Sequence, residues 1–234
     1  MNTIAKKWLM TVTLTILGGD MGACTSSGST NWKEEVLLQN GTKLIVDRSQ
    51  RFGGRHEIGQ APPIKEEDIT FTIPGSSKPT TWTSEYSEDV GRENLKPLAL
   101  HVLGKEAYIV ATPNLCLAYN KWGRPNPPYV VFRYDGNTWQ RIVLVDLPAE
   151  FSGINLVINT TSHDAEIARR SMIRADTVRR LNSNLTQPYY RTILRKPLKP
   201  GEGGVGCEEL IYYKGAWVGP GDSIGRRMMD RQSN

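Results

Sequence analysis

Five short glycine-bearing turns punctuate this chain, each set between short apolar runs: Asn40-Gly41, Gly75-Ser76-Ser77-Lys78-Pro79, Gly104-Lys105, Asp135-Gly136-Asn137 and Lys214-Gly215. Glycine and asparagine supply the positive φ angles that tight hairpins need. The flanking runs predict strand pairs. Val36–Leu38 faces Lys43–Val46, and Ile69–Ile73, with its strict Ile-Thr-Phe-Thr-Ile alternation, faces Thr80–Tyr86. Leu95–Leu103 faces Glu106–Thr112, Tyr129–Tyr134 faces Thr138–Val145, and Glu209–Tyr213 faces Ala216–Val218. Leu156–Ile158 and Tyr189–Lys196 read as further strands, and Leu115–Tyr119 as a short apolar segment. The polar stretch Arg48–Glu67 reads as a long loop.

One segment has helical spacing, Thr161–Asn182, where Thr161 and Asp164 resemble a capping box and a break near Arg174 would give two shorter helices. It carries two stripes: Ile167, Ser171, Arg174, Val178 and Leu181, and Ala165, Ala168, Met172 and Ala175. The second is expected to face the core. With 22 glycines, 14 prolines and more Trp and Tyr than Phe, the composition favours short strands and turns over a helical bundle. The expected fold is mainly β with one α-helical segment: antiparallel hairpins forming a sheet, a sandwich or a partial barrel.

The N-terminus has a different character. Lys6 and Lys7 precede an apolar run, Trp8–Leu17, followed by the mostly small residues Gly18–Ala23. That is the layout of a secretory signal peptide. The run is about 10 residues, where a membrane-spanning helix needs about 20. Its end, Met21-Gly22-Ala23-Cys24, resembles the lipobox of bacterial lipoproteins; Gly22 and Ala23 match well, Met21 more loosely. The resemblance covers only this segment. It implies cleavage before Cys24, lipidation of that cysteine, and membrane attachment through acyl chains worth about 0.8 kcal/mol per buried methylene. Thr25, in place of an aspartate, implies the outer membrane with the protein facing the periplasm. The expected organisation is a signal at 1–23, lipidated Cys24 and a tether at 24–31, one globular domain at 32–218 and a polar tail at 219–234.

Three cysteines are an odd number for an exported protein. With Cys24 acylated, Cys116 and Cys207 remain as one pair, and an oxidising compartment favours a disulfide between them.

Other motifs fail on context. Gly201-Glu202-Gly203-Gly204-Val205-Gly206 matches the dinucleotide fingerprint but follows Pro197 and Pro200 rather than a strand. Gly221-Asp222-Ser223-Ile224-Gly225 matches a nucleophile elbow, yet no histidine follows His163. His56, His101 and His163 are scattered without metal-ligand spacing. No cofactor is implied. The net charge of +5 is weak ground for a nucleic-acid partner, and none is expected.

Two patterns remain. Acidic clusters at Glu34-Glu35, Glu66-Glu67-Asp68 and Glu208-Glu209 could supply the paired carboxylates of a glycosidase. Arg169, Arg170, Arg174, Arg179 and Arg180 form a candidate surface for an anionic ligand. The reading is an outer-membrane lipoprotein with a non-catalytic interaction or structural role. Its partners are the membrane through the anchor and an envelope protein, polysaccharide or anionic lipid. The alternative is an anchored hydrolase of envelope polysaccharide or peptidoglycan. Exposure of Trp122, Trp139 and Trp217 in one groove would favour a sugar-stacking surface.

Overall fold

A computed structural model describes residues 28–232; the signal segment and Cys24 lie outside the described residues. In chain order the elements are β1 (Ser29–Leu37), β2 (Lys43–Phe52), β3 (Ile64–Thr72), β4 (Pro79–Thr83), β5 (Tyr86–Ser87), β6 (Arg92–Glu93), β7 (Leu95–Leu103) and β8 (Glu106–Pro113). Then come α1 (Leu115–Lys121), β9 (Val130–Tyr134), β10 (Trp139–Ile142), α2 (Asp164–Ala168), α3 (Ala175–Leu181), β11 (Ile211–Tyr213), β12 (Ala216–Val218) and α4 (Ser223–Gln232).

Two four-stranded antiparallel meanders, β1-β2-β3-β4 and β10-β9-β8-β7, pack face to face. The expected mainly β architecture is thus a sandwich. Alternation dictates its first sheet: Val36, Val46, Ile69, Phe71 and Trp82 point inward and meet Leu100, Val102, Ile109 and Val130 of the second. β7 and β8 do not alternate, because both of their faces are covered. Leu98, Tyr108 and Val110 on the second face pack under Leu147, Phe151, Ile158, Tyr189 and Ile193. The hairpin turns β1-β2, β3-β4, β7-β8 and β9-β10 gather at one end of the sandwich, and the long β2-β3 connection lies at the other.

Several segments depart from expectation, and each departure has a tertiary cause. Within Arg48–Glu67, β2 runs on to Phe52 and β3 starts at Ile64, because both strands pair across a bulge at Arg51/Phe52. Leu156–Ile158 is not a strand. Asn155 donates to Leu37 O (3.1 Å) and Leu100 O (2.8 Å) and accepts from Leu100 N (2.9 Å), closing the free edge of β7 with a side chain. Tyr189 lies in a 3₁₀ turn, held where the Tyr129 hydroxyl donates to Tyr189 O (3.0 Å). β1 begins at Ser29, inside the expected tether, and the polar tail folds into α4. Asp222 starts that helix by accepting from Gly225 N at 2.8 Å.

Candidate functional site: an arginine strap beside a buried carboxylate network

The arginine-rich segment is a strap, not one helix. A 3₁₀ turn at Thr160–His163 leads into α2, the chain opens at 169–174, and α3 follows. The opening is imposed by β1, an edge strand whose outer backbone groups need partners. Ile173 N donates to Lys33 O at 2.8 Å, and Glu35 N donates to Ile173 O at 2.7 Å. A residue extended enough to make that parallel bridge cannot also be helical. Neither helix has a side-chain cap, so the Thr161/Asp164 pair does not act as a capping box. The inward stripe is also the other one. Ile167, Val178 and Leu181, joined by Ile173, pack on Trp32 and Val157, while Ala165 and Ala168 are exposed. Longer side chains can reach the sheet across the broken helix, and alanines cannot.

Burying those four residues leaves all five predicted arginines exposed. Arg170 and Arg180 converge on Glu166, Arg170 at 2.8 Å and Arg180 closer still. Partial desolvation works against the Glu166 charge, but hydrogen bonds from Arg180 and Arg170 prevail and hold its carboxyl below the usual range. Arg169, Arg174 and Arg179 make no ion pair among the described residues. An open groove of about 610 Å³ runs past Ser162, His163, Glu166, Arg169 and Arg170. A second, of about 510 Å³, lies between Arg170 and the outward face of β1–β3, where Lys33 pairs with Asp47 at 2.5 Å. The arrangement offers three cations without an ion-pair partner on an open surface, Arg174 among them helping to hold the nearby Glu35 carboxyl low, and it suits a broad anionic partner better than a small enclosed ligand.

Beneath the strap, Glu34 and Glu67 of the acidic clusters join a buried network centred on Arg48. Arg48 on β2 is 2% exposed. Its Nη1 donates to Glu34 Oε2 (2.8 Å) and Val157 O (2.9 Å), its Nε donates to Glu67 Oε1 (2.9 Å), and its guanidinium lies over the Trp32 ring at 4.8 Å. Gln50 donates to Glu67 Oε2 (2.6 Å) and Thr160 Oγ1 (2.8 Å), while Glu34 also accepts from Trp32 Nε1 and Val157 N. Burial opposes the charge of Arg48, yet Glu67 and Glu34 overcome it and raise its pKa above the ordinary arginine value. Glu93 on β6 sits beside this set. Its Oε1 accepts from Asn114 Nδ2 at 3.2 Å, and its buried Oε2 has no partner. Burial, reinforced by the charge of Glu67, pushes Glu93 up to about 8. Three buried glutamates face one buried arginine, so Glu93 keeps its proton at neutral pH. A signal for this existed: period two places Glu34 with Trp32 and Val36, and Arg48 and Gln50 with Val46, on the inward face.

The remaining predicted residues are placed as follows. Cys116, in α1, and Cys207 are brought to disulfide geometry with Cα atoms 5.4 Å apart. Asn120 and Arg124 brace the pair by donating to Glu208 O (both 2.9 Å), and Arg124 donates to Cys207 O (2.8 Å). The histidines stay apart. His101 is buried, stacked on Phe151 at 4.6 Å, its Nε2 bonded to Gly153 O, and burial lowers it to about 4. His56 and His163 each bond a backbone carbonyl. Among the described residues no group of His, Cys, Asp or Glu could hold a metal ion.

The acidic clusters are split by strand alternation. Glu34 and Glu67 point inward to Arg48; Glu66 and Asp68 point outward to Arg51; Glu35 pairs with Lys43 at 3.0 Å. Trp122, Trp139 and Trp217 are half-buried, and each has its own neighbours. Trp122 packs edge-on against Phe132 under Arg141, Trp139 donates to Thr81 O and packs on Tyr134, and Trp217 donates to Asp89 O.

No family model, curated protein or solved structure matches this chain.

Proposed function

We propose that the protein is a lipid-anchored component of the bacterial cell envelope, on the periplasmic face of the outer membrane, with a non-catalytic role in which the arginine strap meets an anionic surface. The observation that carries this reading is the trio Arg169, Arg174 and Arg179, exposed and unpaired, on a strap bonded to β1. β1 starts five residues after Cys24, a stretch that reaches at most about 18 Å. The bridge at Glu34 lies on the order of 17 Å further along the strand. An anchor at Cys24 therefore leaves the strap free to meet lipid head groups when the strand lies along the membrane. It also turns the β2-β3 loop to the membrane, since Phe52 N donates to Gly28 O at 3.1 Å; that loop carries Ile58, whose side chain stands free of the protein. The carboxylates of the first two acidic clusters favour the binding reading as well: Glu34 and Glu67 are buried against Arg48, and Glu35, Glu66 and Asp68 are paired with surface cations.

In this reading the compartment is oxidising and the Cys116–Cys207 bridge forms, closing a loop of 91 residues worth about 4–5 kcal/mol in the chain-entropy limit. Exported protein should then resist alkylation until it is reduced, and two alkylated cysteines without reductant would contradict it. The anchor is tested with labelled fatty acid. The parent should incorporate label and Cys24→Ser should not; equal incorporation by both would overturn the lipoprotein reading.

A further inference from the structure

The turn end of the sandwich, remote from the start of β1, holds a cleft that none of the foregoing uses. It lies between the β3-β4, β7-β8 and β9-β10 turns and encloses about 440 Å³, within the usual range of small-ligand sites. Its chemistry is one-sided. Lys78 enters from one turn and Lys105 from another, and neither is ion-paired. The acids nearest in sequence are already engaged elsewhere. Asp135 caps its own turn by accepting from Asn137 N and Thr138 N, both at 2.9 Å, and Glu106 accepts from the Tyr108 hydroxyl at 2.6 Å. Two ammonium groups thus share one cleft with no anion between them, and an anionic guest relieves their repulsion.

The rest of the lining is hydroxylic. Thr80 is 8% exposed and lines the cleft, yet its hydroxyl has no hydrogen-bond partner among the described residues. Its oxygen still reaches solvent, so a guest in the cleft can bond to it. Ser77 and Tyr134 also line the cleft with unpartnered hydroxyls, and the Tyr134 ring is held by Trp139 at a centroid distance of 5.3 Å. Ammonium groups, hydroxyls that both donate and accept, and the edge of a fixed aromatic ring match a hydroxyl-rich ring bearing a negative charge.

We propose that this cleft binds an anionic saccharide, a sugar carrying a phosphate or carboxylate, with Lys78 and Lys105 on the charge and Thr80, Ser77 and Tyr134 on the ring hydroxyls. The site stands on its own geometry and does not depend on the anchor or the strap. The test is an amide-shift titration of the full-length chain with glucose 6-phosphate and with glucuronate, against glucose and inorganic phosphate as controls. The two charged sugars should give saturable shifts at Lys78, Thr80, Lys105 and Gly136, with each control at least about tenfold weaker. Lys78→Ala and Lys105→Ala, both on exposed turns, should each weaken charged-sugar binding about tenfold and leave remote amides unmoved. Absence of saturable shifts with both charged sugars would overturn the proposal. So would unchanged affinity in both lysine variants, or inorganic phosphate binding as tightly as glucose 6-phosphate, which would mark a bare anion site.

Discussion

Two sets of arginine meet along β1 with opposite fates. Arg48 lies on the inward face of β2, buried, with each of its guanidinium nitrogens donating to Glu34, Glu67 or Val157 O. The strap arginines, tied to the outer edge of β1, stand in solvent, and three of them have no ion-pair partner among the described residues. The side chains are the same and the separation is short, so burial and partners decide the role. A buried charge must be matched or it costs several kcal/mol, which makes Arg48 a structural element. An exposed, unmatched charge adds little to stability and remains free to bind. Arg48 ties β1, β2 and β3 to the segment at Val157, and the strap is the part a partner can see.

The sharpest way to break the comparison is to remove the buried charge. Arg48→Met leaves Glu34 and Glu67 buried without a counter-charge and should cost about 3–5 kcal/mol in chemical denaturation. Adding Glu34→Leu and Glu67→Leu should recover only part of that loss, because Trp32 Nε1, Val157 N and Gln50 then lose their carboxylate acceptors. A single variant as stable as the parent would show that Arg48 is not structural.

A smaller effect separates Glu93 from the groups around it. Its pKa, about 8, is raised above that of an unfolded carboxyl, so the native state binds the extra proton and stability falls as pH rises toward 8. His101, lowered from 6.5 to about 4, acts in the opposite sense: its contribution is complete above 6.5 and lost as pH falls through 4. The window from 6.5 to 8 therefore isolates Glu93. Across it the parent should lose roughly 1–2 kcal/mol, and Glu93→Gln should remain nearly flat. Parallel pH profiles would mean that Glu93 is ionised in the fold.

The hairpins could be read from the chain because their causes are local. Gly41 and Gly136 take the positive φ that the turns demand, and Ile69-Thr70-Phe71-Thr72 alternates over a half-buried face. The cysteine pair was accessible by counting. What was lost has non-local causes. The break of the strap near Arg174 could be read from the chain, but not its cause, the free edge of β1 that claims Ile173, nor the face that turns inward. Helix α1 is seven residues long, too short for a 3.6-residue period to declare itself, and has no side-chain cap. The Arg48 network was visible as polar residues at inward positions of β1 and β2, but only when the two strands are laid beside β3 does each charge find its partner. The exposure of the five arginines followed from their residue type; which three are unpaired required Glu166 in place.

Those three are the smallest test in stability terms and the most direct one of function. Arg169→Gln, Arg174→Gln and Arg179→Gln, combined in the Cys24→Ser chain so that no acyl chain contributes, should each change stability by less than about 0.5 kcal/mol. The measurement is co-sedimentation with phosphatidylglycerol vesicles at low and at physiological salt, where exposed charges are screened over about 8 Å. The parent should bind at low salt and release as salt rises, and the triple variant should remain in the supernatant at both. Equal retention of parent and variant at low salt would contradict the assignment of the strap as the anionic contact.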